Sequence, residues 1–140
     1  MRAVMPLTPH GNTKYVITAK RSHGLVRNEM EAEVSERTFI QLLSKCRYTT
    51  LKKHRIKFNC PDLGVEELCV DSYDPSRVSL KVVEVEFASE EEAKAWKPPE
   101  WFDLEVTGRE EFKNQALWSN LMAGYKIVVE NDGQLKLLPT

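Results

Sequence analysis

The sequence predicts an α+β fold, in which an antiparallel sheet curls into a closed or half-open, tunnel-like barrel with helices packed outside it. Three observations support this prediction. Strand-like segments alternate apolar and charged residues, capped helix-like segments separate those strands, and the charged positions mix both signs. We expect one domain over residues 1–140. The chain contains 20 Lys and Arg residues and 21 Asp and Glu residues, which gives a formal net charge of −1.

The predicted strands each have a charged side and an apolar side. In residues 27–34, charged and apolar side chains alternate, and the same split recurs in residues 83–87. Residues 13–20 and 68–73 are further β-rich segments. Because successive side chains of a strand point to opposite faces, each of these strands would present one ionic face and one apolar face.

Two helices are predicted between these strands. Ser35 can cap a helix whose apolar stripe is Phe39, Leu42, Leu43 and Cys46, spaced at i, i+3, i+4 and i+7. Residues 89–92 match the S-x-x-E capping box of a second helix, with Ala93 and Trp96 facing inward. The prolines at 98 and 99 would end that second helix.

The C-terminal part of the chain is predicted as a helix followed by a hairpin. A third helix would run over about residues 114–123 and stop at Gly124. The hairpin would join residues 125–130 to residues 135–138 through the turn Asn131-Asp132-Gly133.

The charged strand faces allow two interpretations. They are either a solvated outer surface, which antiparallel sheets commonly have, or the lining of a lumen whose outside is covered by helices. The mixture of signs favours the lumen, because carboxylates bind Mg²⁺ or Mn²⁺ while Lys and Arg neutralise phosphate oxygens. The cations found among the strand candidates are Lys14, Lys20, Arg27, Lys45, Arg47 and Arg55.

A long, ordered succession of motifs runs through roughly residues 14–121. In chain order they are Tyr15-Val-Ile-Thr18-Ala-Lys20, Arg27-x-Glu29-x-Glu31, Lys45-x-Arg47, Val70-Asp71-x-Tyr73, Lys81-Val-Val-Glu84-Val-Glu86-Phe87, Ser89-Glu-Glu-Glu-Ala, Pro99-Glu-Trp101-Phe-Asp-Leu-Glu105-Val-Thr107-Gly108 and Phe112-Lys-Asn114-Gln-Ala-Leu117. This succession resembles the CYTH domain of the triphosphate tunnel metalloenzymes, which include thiamine triphosphatases, inorganic triphosphatases and some adenylate cyclases. Residues 125–140 would be a hairpin extension beyond the resemblance.

The resemblance implies a role for individual residues. Glu84 and Glu86 would bind divalent metal, Mg²⁺ or Mn²⁺, with Glu29, Glu31 and Asp71 on the same acidic side. The residues that would bind triphosphate are Lys20, Arg27, Lys45, Arg47 and Arg55. No catalytic residue is assigned.

The sequence departs from the resemblance in one motif. CYTH domains open with a strand bearing Glu-x-Glu-x-Lys, and this sequence contains no such motif. We therefore expect an incomplete metal site and an open sheet edge beside the strand of Lys20. Either the hairpin of residues 125–138 or a second copy of the chain would fill that edge, and we favour a homodimer.

Three classes of function follow from these observations. The first is a metal-dependent triphosphate phosphohydrolase, with adenylate cyclase as a minor branch. The second is a catalytically degenerate CYTH-derived module that binds triphosphate or polyphosphate without turnover, and the third is an interaction module that recruits a partner by strand addition. The near-neutral charge argues against nucleic acid as a partner, and no apolar run reaches the length of a membrane span. The expected location is the cytoplasm.

Overall fold

The computed structural model describes residues 2–4, 12–23, 26–45, 49–65 and 67–140. The chain divides into two compact units, Met1–Tyr48 and Thr49–Thr140. Its strands are β1 (Arg2–Val4), β2 (Lys14–His23), β3 (Val26–Val34), β4 (Lys53–Asn59), β5 (Glu67–Tyr73), β6 (Val78–Ser79), β7 (Lys81–Val85), β8 (Tyr125–Val129) and β9 (Leu135–Pro139), and its α-helices are α1 (Glu36–Leu43), α2 (Glu90–Ala95) and α3 (Asn114–Met122).

The first unit contains the sheet β1-β2-β3, in which both pairings are antiparallel. β2 and β3 pair along their whole length, with Lys20 opposite Glu29 and Thr18 opposite Glu31. The predicted strands 13–20 and 27–34 are therefore confirmed. The apolar side of β3 is less buried than expected, since Met30 is 73% exposed.

Helix α1 begins where the capping pattern predicts. The Ser35 hydroxyl accepts a hydrogen bond from the Thr38 backbone N–H at 3.1 Å, which satisfies one of the amides left free at a helix start. Phe39 is buried, and its ring centroid lies 5.1 Å from that of Tyr15 on β2. The predicted apolar stripe is only partly buried, because Leu42 is 39% exposed, and Cys46 lies outside the described residues.

The second unit contains the antiparallel sheet β4-β5-β7. β5 is the central strand, and its alternate residues Asp71 and Tyr73 are buried together with Leu68 and Cys69. Arg55 of β4 lies opposite Asp71, and Cys69 lies opposite Glu84 of β7. This register places charged residues of all three strands on the same face of the sheet.

A second sheet of this unit, β6-β8-β9, packs with α3 to form the hydrophobic core. The predicted hairpin is confirmed as β8 and β9, which pair antiparallel, while the two-residue strand β6 pairs with β8 in parallel. Within the described residues, this core is a cluster of five buried side chains, Tyr73, Val78, Leu117, Leu121 and Ile127. Met122, the last residue of α3, is 40% exposed.

An aromatic cluster follows helix α2. The Ser89 hydroxyl accepts from the Glu92 N–H at 3.2 Å, and α2 ends before the two prolines, as the sequence predicts. The Trp96 indole donates to the Leu63 carbonyl oxygen at 2.8 Å. Its ring centroid lies 5.5 Å from those of both Phe87 and Phe102. This cluster fixes the end of α2 against the turn that joins β4 to β5.

The α+β class and the dominance of antiparallel pairing are confirmed, but no closed barrel is found among the described residues. The strands of the described residues form three separate three-stranded sheets. The two-residue β6 accounts for part of this separation, because the chain leaves the β5–β7 ladder there to pair with β8.

No helix within the described part of the chain is long and apolar enough to cross a membrane.

A matched pair of leucine substitutions tests the core. Leu117→Ala should lower the free energy of unfolding by about 3 kcal/mol, because Leu117 has no exposed surface and its truncation leaves a cavity. Leu138→Ala, at a position 36% exposed, should cost less than about 1 kcal/mol. Urea denaturation measures both changes, and equal losses would contradict this assignment of the core.

Candidate functional site

Charged side chains converge on one face of the sheet β4-β5-β7. Lys53, Arg55 and Lys57 alternate with His54, Ile56 and Phe58 along β4, so that all three cations point to the same side. We call this surface the ion-pair face. Its charged members are Lys53, Arg55, Lys57, Glu67, Asp71 and Glu84.

Asp71 lies at the centre of the ion-pair face with no exposed surface. Its Oδ2 accepts from Lys53 Nζ at 2.6 Å and from Arg55 Nη2 at 2.8 Å, and its Oδ1 accepts from Arg55 Nε at 2.7 Å. Burial raises the pKa of the Asp71 carboxyl, but the hydrogen bonds from Arg55 and Lys53 outweigh it, and the net pKa lies below its usual value. Asp71 is therefore a carboxylate held between two cations.

The two cations are more accessible than the carboxylate that holds them. The side chains of Lys53 and Arg55 are 24% and 32% exposed, whereas that of Asp71 is fully buried. The fork of Arg55 is shared, because its Nη2 also donates to Glu84 Oε2 at 2.7 Å. The hydrogen bond to Asp71, opposed by burial and aided by the charge of Glu84, raises the pKa of Arg55. The face thus offers fixed positive groups to an anion approaching from solvent.

The neighbouring part of the face carries a second ion pair. Lys57 Nζ lies 2.9 Å from Glu67 Oε1, and this contact raises the pKa of Lys57 and lowers that of Glu67. The Cys69 thiol lies 3.7 Å from the same carboxylate oxygen, and burial raises its pKa. Cys69 is therefore a protonated thiol at neutral pH, and the face gains no further charge from it.

The predicted acidic residues of this unit are placed differently from one another. Asp71 and Glu84 lie on β5 and β7 within the ion-pair face. Glu86 was expected on the same strand as Glu84, but β7 ends at Val85 and Glu86 is exposed one residue beyond it. The last pair of the ladder is Leu68 with Val85, and Glu67, the next residue of β5, does not pair with Glu86.

In the first unit, the structure brings two of the predicted residues into contact. Lys20 Nζ lies 3.1 Å from Glu29 Oε1, and Thr18 Oγ1 lies 3.5 Å from Glu31 Oε1. Lys45 was expected among the strands, but it lies in the turn after α1, where its N–H donates to the Leu42 carbonyl. The backbone of Arg27 is in β3, while its side chain and the whole of Arg47 lie outside the described residues.

Sequence reasoning missed Lys53. Its Nζ lies 2.6 Å from Asp71 Oδ2, which is slightly closer than any nitrogen of Arg55 lies to this carboxylate. The signal was available, because Lys53, Arg55 and Lys57 occupy every second position of one run. Tyr73, which lies opposite Lys53 on β5, belongs to the Val70-Asp71-x-Tyr73 motif, but no role was predicted for it. The position of both residues beside Asp71 can be predicted once the pairing of β4 with β5 is known.

An open cleft of about 760 Å³ lies on the other side of this sheet. Its lining includes His54, Ser72 and Lys81, which are direct neighbours across the three strands. These residues alternate with those of the ion-pair face and so point away from it. The cleft is therefore separate from the buried carboxylate and its two cations.

The ion-pair face fits a divalent metal only in part. Both oxygens of Asp71 accept from cations, which leaves this carboxylate poorly suited to coordinate a second positive group. Glu84 uses Oε2 for Arg55 and is 41% exposed, and Glu86 is exposed. Among the residues that the structure describes, no group of three or more His, Cys, Asp or Glu is arranged to hold a metal ion.

Comparison with known proteins gives one relative and one solved structure of the same class. An inorganic triphosphatase of Nitrosomonas europaea is 37% identical over 105 residues, which cover 75% of this chain and 68% of the relative. The crystal structure of an inorganic triphosphatase matches with a TM-score of 0.50 and 33% identity, over 65% of this chain and 61% of that one. The chain thus spans less than two thirds of the solved structure's length. No protein-family model matches the chain.

The antiparallel sheets and the relative, which is 37% identical over 68% of its own length, together assign the chain to the triphosphate tunnel metalloenzymes. The chain belongs to the CYTH family. The resemblance in the motifs around Glu84 and Asp71 is therefore confirmed at the level of the family.

Replacing the buried carboxylate tests its role in the fold. Asp71→Asn should lower the free energy of unfolding at pH 7 by about 3 kcal/mol, because the amide leaves Lys53 without its counter-charge and Arg55 with that of Glu84 alone. Since the folded pKa of Asp71 is depressed, its contribution is present above the unfolded pKa of about 3.9 and is lost as the pH falls through the folded value. Denaturation between pH 7 and pH 3 should therefore show a flatter acid limb for Asp71→Asn.

The exposed Glu100 provides the control for this experiment. Glu100→Gln should leave both the stability at pH 7 and the acid limb within about 0.5 kcal/mol of the wild type. An acid limb of Asp71→Asn as steep as that of the wild type would show that Asp71 does not stabilise the folded state through its charge.

Proposed function

We propose that this chain hydrolyses inorganic triphosphate in a divalent-metal-dependent reaction, at a site that includes the ion-pair face. The observation that carries the proposal is the buried Asp71 carboxylate, which holds Lys53 and Arg55 side by side with their outer surfaces exposed. The inorganic triphosphatase of Nitrosomonas europaea supports the choice of substrate.

The row of cations on β4 suits an extended polyanion. Alternate residues of a strand are about 6.8 Å apart, so Lys53, Arg55 and Lys57 place positive groups along a line rather than at a point. The guanidinium of Arg55 can bind two phosphate oxygens at once, while each ammonium acts as a compact charge. Such a line favours a chain of phosphates over a single phosphate group.

The charge balance of the face supports metal dependence. Three cations of the ion-pair face are paired with three carboxylates, so the face by itself is electrically neutral. A triphosphate carries several negative charges, and neutral surroundings would not compensate them. Additional positive charge is therefore needed when the substrate binds.

Glu84 and Glu86 are the residues that would hold Mg²⁺ or Mn²⁺. Magnesium is commonly bound through one or two carboxylates, with substrate phosphates and water supplying the other oxygens, so a pair of glutamates is a sufficient protein contribution. The metal would neutralise phosphate oxygens at the reacting centre. Asp71 is better suited to orient Lys53 and Arg55 than to act as a ligand.

The remaining site residues are proposed from the family resemblance. Lys20, Arg27, Lys45 and Arg47 would bind the triphosphate, and Glu29 and Glu31 would extend the acidic side. In this proposal the two units form one CYTH domain with a tunnel-like interior. We also propose a homodimer, because β1, as far as the structure describes that part of the chain, pairs with only the first three residues of β2. The proposed location is the cytoplasm.

Removing Lys53 tests the role of the ion-pair face. Lys53→Met keeps the length of the side chain but removes its charge, and it should raise the KM for tripolyphosphate at least about tenfold, the loss expected for one charge-assisted hydrogen bond. The matched control is Lys136→Met, on the exposed β9, where kcat/KM should stay within about twofold. Phosphate release in the presence of Mg²⁺ or Mn²⁺ measures both. An unchanged KM for Lys53→Met would refute the assignment.

Metal binding is tested by calorimetry with the metal alone. The double variant Glu84→Ala/Glu86→Ala should lose at least about tenfold in Mn²⁺ affinity, because both proposed ligands are removed. Glu90→Ala/Glu91→Ala removes the same charge from the exposed helix α2 and should retain wild-type affinity. Equal affinity in all three proteins would show that the metal binds elsewhere.

A further inference from the structure

We propose that Tyr73 and Asn114 are positioning residues that hold the Lys53 ammonium in place to bind triphosphate. The proposal rests on the proposed function for the role of Lys53, but its geometry can be tested without catalysis. It connects the ion-pair face to helix α3 through one buried aromatic ring.

Lys53 is held from two directions. Its Nζ lies 2.6 Å from Asp71 Oδ2 and 6.0 Å from the centroid of the Tyr73 ring. Tyr73 is the residue of β5 directly opposite Lys53. A lysine side chain has much rotational freedom, and a single ion pair restricts it only in part. A ring within cation–π distance adds a second, differently placed restraint.

The Tyr73 ring is itself fixed at both ends. The residue is 6% exposed and packs in the core with Val78 and Leu117, while its hydroxyl donates to Asn114 Oδ1 at 2.6 Å. Asn114 is the first residue of α3. Because the core holds the ring body and Asn114 holds its tip, the ring cannot tilt without breaking a hydrogen bond.

The protonation of Tyr73 is compatible with this role. Burial, together with the charges of Asp71 and Glu84, raises the pKa of the phenol, while Arg55 opposes that shift. The hydroxyl is therefore neutral and able to donate at neutral pH. A phenolate would lose the bond to the Asn114 oxygen, since neither atom would then carry a hydrogen.

A simpler explanation is that the hydroxyl bond only satisfies a polar group near the core. The two explanations differ in one respect. Loss of a purely structural bond would lower stability without an effect on KM that depends on Lys53. Loss of a positioning bond should raise the KM for tripolyphosphate when Lys53 is present and leave it unchanged when Lys53 is absent.

A double-mutant cycle separates these explanations. Tyr73→Phe keeps the ring and removes the hydroxyl, and Asn114→Ala removes the acceptor, so each should raise the KM for tripolyphosphate about three- to tenfold with kcat within about twofold. In the Lys53→Met background, Tyr73→Phe should change KM by less than about twofold. Ile127→Val, a mild core change, is the control for general loosening and should leave KM unchanged in the native background.

The kinetic outcomes are decisive in both directions. If Tyr73→Phe raises KM by the same factor with and without Lys53, Tyr73 does not act through Lys53 and the proposal is wrong. The same conclusion follows if Tyr73→Phe leaves KM unchanged while Lys53→Met raises it. Non-additive effects of Tyr73→Phe and Lys53→Met on KM, together with an unchanged KM in Ile127→Val, support the proposal.

An NMR experiment tests the geometry independently of hydrolysis. In spectra that correlate lysine Nζ with its hydrogens, the Lys53 ammonium should give a signal in the wild type that shifts in both Tyr73→Phe and Asn114→Ala. Lys136 on β9 should not shift. If both variants show these shifts but the wild type does not hydrolyse tripolyphosphate, the proposed function is refuted and the positioning stands. A Lys53 signal unchanged in both variants of an active enzyme would refute the positioning alone.

Discussion

The ion pairs of Asp71 are the interaction on which the rest of this site depends. A carboxylate without exposed surface in the central strand costs several kcal/mol unless cations compensate it, and both cations come from the neighbouring strand β4. The pairing of β4 with β5 is therefore fixed by charge as well as by backbone hydrogen bonds. The same requirement leaves Lys53 and Arg55 with their outer surfaces facing solvent, where an anion can reach them.

Local patterns were enough to predict most elements of the fold. Strand β3, the caps at Ser35 and Ser89 and the hairpin turn at residues 131–133 each depend on a few consecutive residues, and the structure confirms all of them. The stripe of α1 was predicted less well, because the exposure of Leu42 depends on what packs against the helix rather than on its spacing.

The site was harder to predict than the elements, for a physical reason. Which cation meets Asp71 depends on the register between two strands, and the sequence alone did not indicate that Lys53 shares Asp71 with Arg55. Glu86 illustrates the same limit, since the ladder between β5 and β7 ends at Leu68 and Val85 although β5 itself continues to Glu67. Family resemblance identified Asp71 and Glu84, but their partners came only from the paired strands.

The alternation along β4 has a consequence for how this protein can change during evolution. Inserting or deleting one residue within β4 would rotate every later side chain to the opposite face, so that Ile56 or Phe58 would replace a cation beside Asp71. The strand is thus a segment in which length is constrained as strictly as residue type. The turn of residues 74–77 carries no such alternation and lies outside the family motifs, and relatives of different length are expected to differ there and not in β4.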